Sequence, residues 1–277
     1  MKPVCAITGA SGYVGSRIAA ALAQDFEILP LGRNPGPSGI GWHMAGEQSI
    51  AQSLRLRGTK VLVHSAWDFN CPRPEDNWKS NVEGSRRLLD DARAAGIQRI
   101  VFVSTISAFA GARSEYGKAK LAVERMVLDA GGAVIRPGLV WGSRPGGMFG
   151  SLREQVRKGS IVPTIGDGRY PQFLVHEDDL ADTIRRAAVS DAGFSGRTLT
   201  LAHPNGILLC DLILRLAADE GRSVRLVGIP WRVIYAGLRT AEALGLKLGF
   251  RSDSVLSLVY QDPRPHFASG IPVRPFL

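Results

Sequence analysis

Tyr116 and Lys120 stand four residues apart in the stretch SEYGKAKLAVE, where the spacing of Leu121, Val123, Met126 and Val127 predicts a helix. Residues at i and i+4 share a helix face, so a phenol and an ammonium meet there. A tyrosine titrates near pH ~10, and an ammonium beside it favours the phenolate, drawing the group toward a range where it can exchange a proton. Just upstream, Ile100 to Val103 is a continuous β-prone run followed by Ser104, Thr105 and Ser107. Parallel sheets hold their ligands at the carboxyl ends of strands, so a hydroxyl placed there can meet a substrate oxygen. Tyr-x-x-x-Lys by itself also decorates many solvated helices, so the surrounding elements decide its meaning.

Those elements alternate between strand and helix. Val4 to Thr8 is an apolar run ending in Thr8-Gly9-Ala10-Ser11-Gly12-Tyr13-Val14-Gly15, with an amphipathic pattern from Tyr13 to Ala23. A strand, a glycine turn and a helix in that order let backbone approach a pyrophosphate at the helix N-terminus, and Gly9, Gly12 and Gly15 are spaced for it. Glu27 to Gly32 predicts the second strand and ends in Arg33. An acid at that strand end would hold a ribose diol; a guanidinium suits a 2′-phosphate, with Arg17 a possible helper, so NADP is expected ahead of NAD. Pro30 inside the strand removes a ladder donor.

Further strands are expected at 39–44, 61–66, 133–136, 173–175 and 198–201, and helices at 49–56, 75–95, 151–158, 209–220 and 230–246, with 142–150 a loop. His64 reads as a hydrogen-bonded core histidine. His176-Glu177-Asp178-Asp179 reads as a capped helix start, with Asp178 or Asp179 as the N-cap, and not as a metal cluster. Arg225, Arg232 and Arg239 recur every seven residues. The expected explanation is a core helix with one solvated basic stripe, the alternative a helix lying on a membrane surface. The fold class that follows is α/β, a Rossmann-type doubly wound parallel sheet with a smaller C-terminal substrate-binding domain. Residues 1–165, with 173–202 returning, would form the nucleotide domain, and 203–277, with 143–172, the cap.

The net charge of +9 permits anionic partners, but the basic residues form no run of five and do not interleave with aromatics, so nucleic acid is not expected. Cys5, Cys71 and Cys210 lie far apart without ligand spacing, which fits reduced thiols in a cytoplasm and no metal. The N-terminal glycines interrupt any signal-like apolar core, and no stretch is long enough for a membrane span.

Together these motifs resemble the extended short-chain dehydrogenase/reductase superfamily and, within it, the NAD-dependent epimerase/dehydratase family. The resemblance rests on TGASGYVG at 8–15, NVEGSRRLLDDARAAGIQRIVFVST at 81–105, YGKAK at 116–120, RPGLVWG at 136–142 and the IGDG and VHEDDLA segments beyond. It implies that Tyr116 is the proton donor and acceptor, that Lys120 binds the nicotinamide ribose and lowers the tyrosine pKa, and that Thr105 polarises the substrate oxygen, with Ser107 in reserve. It places Gly9, Ser11, Gly12, Tyr13, Val14, Gly15, Arg33, Ser65, Ala66, Asn81, Tyr116, Lys120 and Pro137 against the dinucleotide. It also implies a homodimer formed through 81–95 and 116–130.

Departures from the pattern narrow the chemistry. Ile106-Ser107 follow Thr105 where dehydratases carry Asp-Glu, and Gly32-Arg33 stand where NAD-holding epimerases carry an acid. The expected activity is therefore NADP-dependent reduction of a keto group on a sugar-like substrate, with a nucleotide-linked 4-keto sugar the expected example. Gln172 occupies the register of the diphosphate-holding arginine, leaving Arg153, Arg157, Arg169 and Arg222 as anion contacts in the cap. An epimerase with tightly bound NAD is the alternative, and a non-catalytic dinucleotide sensor the rival from another class.

Overall fold

In the computed structural model, which describes residues 1–71, 73–143, 145–246 and 250–276, the first half of the chain alternates strand and helix. In order come β1 (Val4–Thr8), α1 (Tyr13–Leu22), β2 (Glu27–Gly32), β3 (Ile40–Gly41), α2 (Ala51–Leu56), β4 (Thr59–His64), α3 (Pro74–Asn77), α4 (Glu83–Ala95), β5 (Arg99–Val103), α5 (Glu115–Asp129) and β6 (Ala133–Pro137). Continuous apolar runs such as Ile100–Val103 and Val61–Val63 can only be buried on both faces, which demands helices above and below the sheet. They are there. One core layer packs α2, α4 and α5 against the sheet, with Leu54, Leu88, Phe102 and Val123 inside it. The other packs α1 and the later helix 177–189, with Ile18, Val63, Val101 and Ile184.

The second half contributes β7 (Leu139–Trp141), α6 (Gly147–Lys158), β8 (Ile161–Ile165), β9 (Pro171–Gln172), β10 (Leu174–His176), α7 (Glu177–Val189), β11 (Thr198–Leu201), β12 (Ile207–Leu208), α8 (Leu209–Asp219), β13 (Arg225–Ile229), α9 (Trp231–Ala243) and α10 (Ser252–Val259). The main sheet has seven strands in the order β11-β6-β5-β4-β1-β2-β3, and every pairing in it is parallel. The order reverses beside β1, so the crevice at the carboxyl ends of β1 and β4 is the topological switch point. A third core, around Phe149, Leu152, Leu212, Leu216 and Val255, joins α6, α8 and α10.

Several local expectations change. Pro30 is tolerated because the β2–β3 ladder pairs only Leu31 and Gly32, beyond it. The glycine-rich 147–150, expected as loop, opens α6, since Phe149 and Leu152 anchor it in the third core; Arg144 of that expected loop lies outside the described residues. The N-cap of α7 is His176, whose Nδ1 accepts the Asp178 N–H at 3.2 Å, and not Asp178 or Asp179. The helix expected at 75–95 is split by a π-helical turn, Trp78–Val82, which accommodates Asn81. Arg225 lies on strand β13, so the seven-residue spacing does not run along one helix. Finally, α9 is no core helix: none of its residues is buried.

Candidate active site

The glycine turn is built for close approach. Gly9 has φ +74°, and a Cβ on it would stand 3.0 Å from the Ala66 nitrogen; a Cβ on Gly15 would stand 2.0 Å from the Gly9 carbonyl oxygen. Thr8 ties the ends of β1 and β4 together, its Oγ1 accepting the Ser65 and Ala66 N–H groups at 3.0 Å each. Its hydroxyl is 2.8 Å from His64 Nδ1, and His64 Nε2 is 2.9 Å from Ser85 Oγ, which itself donates to the Asn81 carbonyl at 2.6 Å. Since Ser85 spends its proton on Asn81, His64 must donate from Nε2 and accept at Nδ1. The ring is thus neutral, fully satisfied and wholly buried, and desolvation pushes its pKa down to about 3. It is the core histidine the sequence indicates.

Gly12 is the N-cap of α1 and provides no side-chain cap, and the first turn carries no acid. Those helix N–H groups, beside a cradle that any Cβ would fill, fit a dinucleotide pyrophosphate, with Ser11, Tyr13 and Val14 around the turn. Arg33 is exposed at the end of β2, and among the described residues its guanidinium makes no ion pair, which fits a ribose phosphate. Arg17 does not join it, because it is bound to Asp178 on α7 at 2.5 Å. Asn81 is spent on protein partners: its Oδ1 accepts the Asp68 N–H at 2.7 Å, and its Nδ2 donates to the Asp68 carbonyl and to Asn77 Oδ1. It therefore anchors the loop after β4 that Ser65 and Ala66 begin. Pro137 is buried at the end of β6, where its carbonyl accepts the Ile106 N–H at 2.9 Å.

Tyr116 enters on the first turn of α5, which the close approach of Gly117 to the Ser107 carbonyl holds against the loop after β5. Trp67 meets the phenol ring edge-on and Phe69 lies tilted over it, each at 5.8 Å between centroids. Burial pushes the phenol up to about 12; the Thr105 hydroxyl pulls it the other way, and Asp253 adds to the rise. A Tyr116 pKa lowered by Lys120 is therefore not what the protein by itself sets up. Lys120 is 3% exposed, donates to the Val103 carbonyl at 2.7 Å, and lies 4.2 Å from the Trp67 ring centre. Burial brings its own pKa down to about 7, with Glu124 opposing. Thr105 Oγ1 accepts the Ser107 N–H at 3.2 Å, and its hydroxyl hydrogen-bonds the Tyr116 side chain, so the two oxygens stand together where one substrate oxygen could meet both. Thr105, Tyr116 and Lys120 are thus brought together, while Ser104 is turned away onto Glu124.

Four residues beyond the sequence expectation hold this constellation. Glu124, 1% exposed and one turn below Lys120, accepts from Ser104 Oγ at 2.5 Å and from Arg136 at 2.8 and 2.5 Å. Asp253, at the start of α10, accepts the Glu115 and Tyr116 N–H groups at 2.8 and 2.9 Å, while Ser114 caps Gly117 at 3.1 Å. The first N–H groups of α5 are thereby all paired and an anion sits at its positive end. Neighbouring Arg251 donates to the Phe69 and Cys71 carbonyls at 2.8 and 2.9 Å, fixing the aromatic loop. The i,i+4 spacing of Lys120 and Glu124 is the one sequence signal for this shell; the contact across 137 residues to Asp253 has none. Of the expected cap cations, Arg153 and Arg157 both close on Glu220, whose carboxyl they pull down to about 2, so neither is a free anion contact. Arg169 and Arg222 are exposed.

Known proteins share this architecture. The model for the NAD dependent epimerase/dehydratase family matches residues 5–202. A 4-hydroxy-2-methyl-3-oxo-4-farnesyl-3,4-dihydroquinoline-1-oxide ketoreductase from Stigmatella aurantiaca is 25% identical over 86% of this chain and 79% of its own length. A UDP-glucose 4-epimerase from Azospirillum brasilense is 28% identical over 88% of the chain and 87% of its own. The chain spans 66% of a longer Sinorhizobium fredii relative, 25% identical to it. Among solved structures, a UDP-glucose 4-epimerase from Thermotoga maritima has the same fold, with TM-score 0.70 and 21% identity over 92% of this chain and 96% of the other. With the glycine cradle, the Tyr116–Lys120 helix and the family model agreeing over most of its length, the chain belongs to the NAD-dependent epimerase/dehydratase family, enzymes of the extended short-chain dehydrogenase/reductase type.

Proposed function

We propose that this enzyme is an NADP-dependent ketoreductase whose substrate carbonyl sits between the Tyr116 phenol and the Thr105 hydroxyl. The observation that carries the reading is the pairing of the Tyr116 phenol with the Thr105 hydroxyl, on the helix that also carries Lys120; burial pushes the phenol up, so it holds its proton at neutral pH, as an acid in a reduction must. When bound, the dinucleotide supplies the hydride. The chain's residues do the rest. Thr105 and Tyr116 donate to the carbonyl oxygen and polarise it, and Tyr116 yields its proton to that oxygen as charge develops. Lys120, on the same helix face, stabilises the phenolate left behind. Arg33 supports NADP because it offers an unpaired guanidinium where an acid would repel a 2′-phosphate.

The surroundings of the phenol support an apolar ketone ahead of the nucleotide-linked 4-keto sugar that the motifs bring to mind. Trp67 and a Phe69 that is 58% exposed flank Tyr116, while Arg153 and Arg157, which could hold a diphosphate, are committed to Glu220. The Stigmatella aurantiaca relative acts on a farnesylated ring ketone, which agrees with this choice. Turnover measured with NADPH and with NADH, on a panel of apolar ring ketones and of nucleotide-linked 4-keto sugars, tests both parts. Faster NADPH oxidation with the apolar ketones is expected. Interconversion of UDP-sugars without net NADPH oxidation, by a protein purified with bound NAD, would establish the epimerase reading in its place.

A further inference from the structure

Between residues 221 and 251 the chain carries six basic residues, Arg222, Arg225, Arg232, Arg239, Lys247 and Arg251, against one acid, Glu242. Five of the nine net positive charges of the protein thus fall in about a ninth of its length. At the centre of this segment lies α9, and its two sides differ. One side, with Trp231, Ile234, Tyr235 and Leu238, is partly buried against the third core. On the other, Val233 is 60% and Leu244 72% exposed, and Leu246 just beyond the helix is 57% exposed. Ala236, Gly237 and Thr240 lie between Val233 and Leu244 and are exposed as well, and Arg232 and Arg239 border the strip.

The single acid offsets this outer strip only in part. Glu242 accepts the Ser252 N–H and hydroxyl at 2.8 and 2.7 Å and stands 3.9 Å from both Arg239 and Arg251, so Arg232 is left with no carboxylate beside it and the strip stays net positive. An outward face made of large aliphatic residues, small residues and arginines is poorly designed for water. It matches the boundary of a lipid bilayer, where aliphatic side chains enter the acyl region and arginines reach up to phosphate headgroups. A second copy of the chain is the other occupant a bare helix face could take. A twofold contact would bring Arg232 and Arg239 of one protomer near those of its partner, with Glu242, already shared among Arg239, Arg251 and Ser252, the one acid nearby, so charge complementarity selects an anionic surface.

We propose that α9 docks this lobe peripherally on an anionic lipid bilayer. Docking does not depend on which reaction the enzyme performs. Among the described residues no helix is long and apolar enough to cross a membrane, so the contact is one of surface attachment.

The test is co-sedimentation of the full chain with phosphatidylcholine vesicles, with and without phosphatidylglycerol, at low and high salt. Binding to the phosphatidylglycerol vesicles at low salt, weakened by salt and by omission of the anionic lipid, is expected. Loss of two basic contacts in Arg232→Gln/Arg239→Gln should lower the partition coefficient about thirtyfold. Val233→Asp should lower it as well, because apolar insertion is lost. Both sites are exposed, and unchanged NADPH binding by each variant establishes that it is folded. No pelleting with anionic vesicles at low salt, or variants that partition like the wild type, would overturn the proposal. So would a dimer in light scattering that Val233→Asp dissociates, which would assign the face to a second copy.

Discussion

Replacing Lys120 by Met should make the enzyme inactive and more stable. The two side chains have similar volume, so packing around Trp67 and Phe102 is preserved. Lys120 titrates at 10.5 in an unfolded chain and at about 7 in the fold. Keeping such a group near neutral pH costs the native state about 4 kcal/mol. Removing it leaves the Val103 carbonyl without its 2.7 Å donor, which costs about 1–3 kcal/mol. The net gain is about 1–3 kcal/mol, or several degrees in Tm for a chain of this size. The sign with pH follows from the same values. The folded pKa lies below the unfolded one, so above pH ~7 the unfolded chain holds the extra proton and wild-type stability rises, by about 2 kcal/mol between roughly pH 7 and roughly pH 9. Lys120→Met lacks that rise. Urea unfolding of both proteins at the two pH values measures this directly. A variant less stable than wild type at both, with the wild type flat between them, would refute the idea that the site holds a strained ammonium.

The neighbouring residues give sharper contrasts. Glu124→Ala leaves the Arg136 guanidinium and Ser104 without their buried acceptor and should cost about 3–5 kcal/mol in denaturant unfolding. Arg33→Ser should weaken NADPH binding at least about tenfold while leaving NADH binding nearly unchanged, a ratio read by nucleotide fluorescence titration. Asp253→Asn removes a negative charge that raises the Tyr116 pKa, so the alkaline limb of turnover should move to lower pH. If Asp253 were only a structural cap, the variant would lose stability with the limb in place.

What the sequence made legible was whatever is local. The glycine spacing at 9, 12 and 15, the β-prone run ending in Thr105 and the four-residue step to Lys120 depend on short-range geometry, and the structure brings them to one crevice. The strand Glu27–Gly32 and the helix from Tyr13 carry their periodicity openly, and both form as expected. Hidden from the sequence were contacts made between distant segments. Asp253 reaches back to α5, Arg251 to the loop at 69–71, and Glu220 claims two arginines expected to be free. The β8–β13 pair, formed beyond the main sheet, was hidden as well, because β13 stands exposed along much of its length and its partner lies some sixty residues away. The phenol pKa is set first by burial beside Trp67 and Phe69, a tertiary effect to which the i,i+4 spacing of Tyr116 and Lys120 is blind.

Tyr116 is the proposed acid that completes carbonyl reduction. The most direct measurement is NADPH-dependent turnover of the best ketone by Tyr116→Phe, alongside NADPH affinity of the same variant. Turnover lowered about 10²- to 10⁴-fold with affinity nearly unchanged is expected. Turnover equal to that of the wild type, with NADPH still bound, would contradict that role.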